Sequence, residues 1–146
     1  MKWVTREHVH VDRTACPWLI KRFIDHNAEF IFVPPDKVDE VAIREKAIPF
    51  DAKGVELGHH GDKCSFDAFI EKYDVKDPVV LELAKIVRAA DTGKPELAPE
   101  GPGLSAVMSG LSNAAKDDFE AIEKAAVVYD ALYNFCKLKL MREKSK

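Results

Sequence analysis

The first 46 residues change hydrophobic period three times, and this constrains the chain more than any other feature. Trp3 to Val11 alternates apolar and polar residues, as a half-buried strand does. From Asp12 to about Asp25 the pattern turns helical, with Cys16, Leu19, Ile20 and Phe23 on one face. A second strand follows at Glu29 to Val33 and a second helix at about Pro35 to Lys46, with a further extended piece near Val55 to Leu57. The rest of the chain reads as helix. One helix opens at Ser65 and aligns Phe66, Phe69, Ile70 and Tyr73. The next has Asp77 as N-cap and Pro78 in its first turn, where a missing N–H costs nothing. A short helix carries Leu104, Val107, Met108 and Leu111. The longest starts behind Asp117, with Glu120 completing a capping box, and runs to about Met141.

The only long breaker-rich connection, Thr92 to Gly103, separates two helical regions rather than two domains. One hundred and forty-six residues, 47% of them hydrophobic, are enough for one core and too few for two. The expected fold is α+β, a predominantly helical single domain over 1–146 with about six helices and two or three short strands. No apolar run approaches the roughly 20 residues needed to span a bilayer, and no leader pattern precedes the first strand. A cytoplasmic protein with no membrane partner is expected. The formal charge of -3 argues against duplex nucleic acid as a partner of this domain. A basic end, Lys137, Lys139, Arg142, Lys144 and Lys146, is accounted for by the negative pole of the last helix.

Chemistry-bearing residues gather in four places. Cys16 lies in the first turn of its helix beside Arg13, where the dipole and the guanidinium favour a thiolate; on the same apolar face it also reads as a small buried hydrophobe. The segment GVELGHHGDKCSFD holds Glu56, His59, His60, Asp62, Cys64 and Asp67, all groups able to bind metal or move protons. Adjacent histidines on extended chain point to opposite sides, so one site recruits one of them. Asp91 closes a helix at its negative pole and needs compensation, from Arg88 three residues earlier or from a bound cation. Asp130 sits in the apolar stretch AAVVYDALY with Glu123 two turns before it, so one helix face offers two carboxylates.

Three readings remain open. His59 or His60 with Asp91, Asp130 and Glu123 forms a mixed nitrogen and oxygen donor set suited to a divalent or trivalent ion such as Mn, Fe or Zn. Arg13, Arg22 and Arg88 form an oxyanion site if they converge, with Cys16 and Cys64 as reactive thiols. The third reading makes all of them a buried structural network. No glycine-rich phosphate loop is present, so no nucleotide cofactor is expected; the ligand is a small inorganic species, metal or oxyanion. Whether the chain is an enzyme is not written in these patterns.

The strings WVTREHVHVDRTACPWLIKRFID, FVPP, PFDAKGVELGHHGDKCSFDAF, the run from Asp77 to Thr92, and VVYDALYNFC resemble the C-terminal domain of the chromate-resistance ChrB family, in order from Trp3 to Cys136. The matching blocks include Asp12, Arg13, Cys16, Trp18 and Arg22, then Glu56, His59, His60, Cys64 and Asp67, then Arg88, Asp91 and Thr92, and Asp130. The resemblance implies a role connected with chromate resistance, as a stand-alone domain without the N-terminal regulatory region of full-length members. It supplies no mechanism. Leu97 to Ser112 departs from the Gln- and Ser-rich version of the family.

Overall fold

A computed structural model describes residues 1–145; Lys146, the last residue of the basic end, lies outside the described residues. Three strands, β1 (Lys2–Arg6), β2 (Glu29–Val33) and β3 (Ile48–Pro49), form one parallel sheet in the order β2-β1-β3. Six helices complete the α+β fold: α1 (Asp12–Leu19), α2 (Val38–Glu45), α3 (Ser65–Lys72), α4 (Pro78–Thr92), α5 (Gly101–Ala114) and α6 (Asp118–Lys144). β1 is central, with Val4 opposite Ile31 of β2 and Pro49 of β3. Its alternation divides the core. Trp3 enters the main cluster with α1, α3, α4 and α6, while Val4 packs on the other sheet face with Val38 and Val41 of α2.

That division follows from the connections. A parallel crossover is right-handed, so α1, leading from β1 to β2, and α2, leading back past β1 to β3, fall on opposite faces. The strand order therefore reverses direction between β1 and β3. Sites in open α/β sheets form at such a reversal, beyond the carboxyl ends of the strands.

Local signals placed most helix starts correctly. The Asp77 side chain accepts from the Val79 N–H behind Pro78, and Asp117 accepts from the Glu120 N–H at the start of α6. Three expectations need correction. β1 ends at Arg6 instead of Val11, because His8 takes φ 63° and the His8 and Val9 N–H groups are captured by the Asp118 carboxylate. The first helix is α-helical only to Leu19 and then widens into a π-turn, Ile20–Ile24; Pro17 within it has no N–H for the carbonyl one turn back. Val55 to Leu57 forms turns, and the third strand is Ile48–Pro49, too short to show a period.

α5 begins at Gly101, which lies against α4. A Cβ there would stand 2.7 Å from the Ala89 Cβ and 3.0 Å from the Ala89 carbonyl carbon. Gly103, two residues on, has nothing within 4 Å of such a Cβ. Gly101→Ala is therefore expected to cost about 1–3 kcal/mol in urea unfolding by overpacking. Gly103→Ala should be neutral or stabilise by about 0.5–1 kcal/mol. Equal effects of the two would contradict the described α4–α5 contact.

Candidate metal centre

At the carboxyl ends of β1 and β3 four acidic or basic side chains converge from four separate elements. Asp12 is the first residue of α1. Asp51 follows β3 in a left-handed conformation, φ 45°. His59 comes from the loop before α3, and Asp91 from the last turn of α4. The His59 Nε2 lies 3.0 Å from an Asp91 oxygen, 3.3 Å from Asp12 and 3.4 Å from Asp51. The two carboxylates nearest the strands are 2% exposed and Asp91 16%, whereas the imidazole is 47% exposed. His59 thus covers a buried acidic recess.

Each carboxylate is held differently. Asp12 accepts from the backbone N–H groups of Ser65 at 2.7 Å and Phe66 at 3.0 Å, the free donors at the N-terminus of α3. Asp51 accepts from the Ser65 hydroxyl at 2.7 Å and pairs with Arg13 and Arg6; Arg6, closing β1, also donates to the Asp51 carbonyl. Asp91 has neither support. Its Oδ2, buried and close to His59, makes no hydrogen bond of acceptable geometry.

One imidazole N–H can serve only one of these oxygens. The electrostatics record the shortage. Burial raises the Asp91 carboxyl to about 7, with the Asp12 charge adding to it. Burial likewise pushes Asp12 up. Burial also acts upward on Asp51, but the Ser65 hydroxyl and the two guanidiniums outweigh it and leave it below the usual carboxylate range. His59 is raised to about 9 by its hydrogen bond with Asp12 and by the charges of Asp91 and Asp51. Ligand atoms of Asp12, His59 and Asp91 all lie within 4.8 Å of one another, a separation from which one ion can be coordinated. Asp51, with its two guanidiniums, stands behind them.

Of the residues named from sequence, His59 and Asp91 meet here. His60 turns outward, its Nε2 on the Glu56 carbonyl at 2.7 Å. Arg88 does not compensate Asp91 but binds Asp67 through two N–H donors, at 2.7 and 2.9 Å. Asp130 is half exposed rather than buried, takes the Trp18 indole N–H and the Arg22 guanidinium, and shares a groove with Glu123 away from His59. Arg13, Arg22 and Arg88 therefore do not converge: each is paired with its own carboxylate. The thiols are also not activated. Cys16 and Cys64 are fully buried, and desolvation raises both well above the ordinary thiol value despite their places at helix N-termini.

Two contributors were not found from the sequence. Asp12 was carried only by the resemblance, since an acid in a helix first turn is adequately explained by the dipole. Asp51 carried one usable signal, an acid directly after the short apolar run Ile48 to Phe50, at the carboxyl end of a strand.

Two comparisons with known proteins found relatives of the chain. The family model described as ChrB, C-terminal domain, matches residues 3–136. Protein ChrB of Cupriavidus metallidurans is 32% identical over 133 residues, 90% of this chain and 40% of that protein. The chain thus spans less than half the length of this curated relative. No solved structure matches the chain.

The raised His59 and Asp91 values set a pH dependence for the metal-free protein. A proton bound more tightly in the folded state stabilises it fully below the unfolded value and is lost as pH passes the folded one. For His59 the window runs from 6.5 to about 9, and for Asp91 from 3.8 to about 7. Thermal melts after chelation should show Tm falling as pH rises from about 6 to above 9, with the upper part of that fall absent in His59→Gln. An identical slope in the variant would show that His59 is not the counter-ion.

Proposed function

The chain belongs to the ChrB C-terminal domain family, and we propose that this domain is a metal-binding module connected with chromate resistance, holding one divalent cation through Asp12, His59 and Asp91. The observation that carries the reading is the single imidazole nitrogen facing three carboxylate oxygens, one of which, on Asp91, has no hydrogen bond. A desolvated carboxylate oxygen without a hydrogen bond is costly, and a cation would relieve that cost at Asp91 and the crowding of its charge against Asp12. One imidazole with two carboxylates is a donor set for Mn, Fe or Zn; a cysteine-rich structural zinc site has a different composition. Three protein donors leave coordination positions free, and the half-exposed imidazole puts them on the solvent side, where a small ligand has access.

The residues around the donors have separate tasks. Arg6 and Arg13 fix Asp51, which adds a negative charge beside the His59 Nε2 at the edge of the donor set. The amides of Ser65 and Phe66 hold Asp12 in place, leaving lone pairs free for a cation. The protons on His59 and Asp91 leave when the ion enters, so affinity rises with pH toward about 9. An oxyanion at the same place is disfavoured by three carboxylates, and the paired state of Arg13, Arg22 and Arg88 supports no other oxyanion cluster.

The test is titration of chelator-treated protein with Mn(II), Fe(II) and Zn(II) by calorimetry, followed by elemental analysis. The expected result is one equivalent of at least one of these ions, with proton release that diminishes above pH 9. Asp91→Asn should weaken binding at least tenfold, and Asp51→Asn roughly 10–100-fold through loss of a neighbouring negative charge beside the ligands. Absence of binding, or unchanged affinity in Asp91→Asn, overturns the reading.

A further inference from the structure

The longest helix buries one face and leaves the opposite one apolar. Ala121, Ala125, Tyr129 and Cys136 of α6 lie in the core. On the far side Val127 is 69% exposed, Leu138 43% and Met141 56%, with exposed Ala131 and Asn134 between them. The spacing 127, 131, 134, 138, 141 alternates four and three residues, the period at which one helix packs along another. Among the described residues nothing covers this seam. A surface helix normally carries charge opposite its core face.

The charges beside the seam identify what fits it. Along one flank, in chain order, stand Glu123, Asp130, Lys137 and Lys144, spaced by seven residues, two acids followed by two bases. A second α6 laid antiparallel, with Asn134 near the two-fold axis, sets Asp130 against the partner's Lys137 and Glu123 against the partner's Lys144. The apolar positions then meet as Val127 with Met141 and Ala131 with Leu138. A parallel pair turns this flank toward the partner's Val128, Phe135 and Arg142, which leaves both acids without a basic partner. Seven residues before Ala131 and Val127, Lys124 and Glu120 end the apolar seam, paired with each other at 3.0 Å. A face that complements itself under a two-fold operation is the requirement for an isologous dimer.

We propose that α6 is a self-association surface, through which two copies of this chain pair as an antiparallel dimer about Asn134. Besides those of α6, the charged groups beside this flank are Arg22, which already neutralises part of Asp130, and Lys21 and Glu29, which line the same groove as Glu123 and Asp130. The exposed Asn134 at the centre favours one register, since its amide finds a partner only where the two helices align it with another polar group.

Sedimentation equilibrium and cysteine crosslinking test this. The wild-type chain should sediment as two copies, and Leu138→Asp as one copy with unchanged circular dichroism; the position is exposed, so the fold should not suffer. Single variants Val127→Cys and Met141→Cys, mixed and mildly oxidised, should give the 127–141 disulfide in preference to 127–127; the native cysteines are buried. A monomeric wild-type mass, or a dimer that Leu138→Asp leaves intact, overturns the proposal. So does a dominant 127–127 crosslink, which requires parallel helices. A monomer also assigns the seam to a different protein chain.

Discussion

The buried carboxylate of Asp12 is the constraint on which the rest of this structure turns. A charge with almost no exposure survives only if it is paired or fully hydrogen-bonded. Asp12 meets that condition through the two free N–H groups at the start of α3, so the same contact that solvates the charge docks α1 on α3. The consequences spread outward. Cys16, one turn along α1, lies 3.6 Å from the Asp12 Oδ1 and is held as a thiol. His59 is drawn over the recess, and Asp91 is left competing for the same imidazole proton. Removing Asp12 would therefore disturb the fold as well as the site, whereas Asp91 separates the two roles.

Much of the architecture was legible because its signals are local. The Asp77-Pro78 and Asp117 caps, the apolar face of α3 and the two main strands all lie within a few residues of the groups they act on. The strand pairing was not legible, because β3 has two residues and its partner β1 lies more than forty positions away. The end of β1 was set by Asp118, a contact across 109 and 110 positions. Local periodicity carries no record of either.

The site divides the same way. Asp91 was legible as an acid at the wrong end of a helix, and one of the two histidines on the glycine-flanked loop was expected, with the choice between His59 and His60 left open. Asp51 was not legible, because its role depends on where β3 joins the sheet. Burial decides further positions that local sequence leaves open. Cys16 read either as a thiolate favoured by the dipole or as a small buried hydrophobe, and it lies in the core; Cys64, expected as a reactive thiol, is buried as well, and desolvation raises both. Asp130 sits in an apolar stretch of sequence, yet it projects from α6 toward Arg22 and solvent. What distinguishes the centre from an ordinary ion-pair network is its place at the reversal of strand order together with an acid that the network does not satisfy.

The most direct measurement is an anomalous difference map from crystals of the protein grown with Mn(II). A single strong peak at about 2.0–2.2 Å from the His59 Nε2 and from oxygens of Asp12 and Asp91 is the predicted result. A map in which the ion lies elsewhere, or is absent while His59 still bridges the three carboxylates, would contradict the account and leave the cluster a structural network.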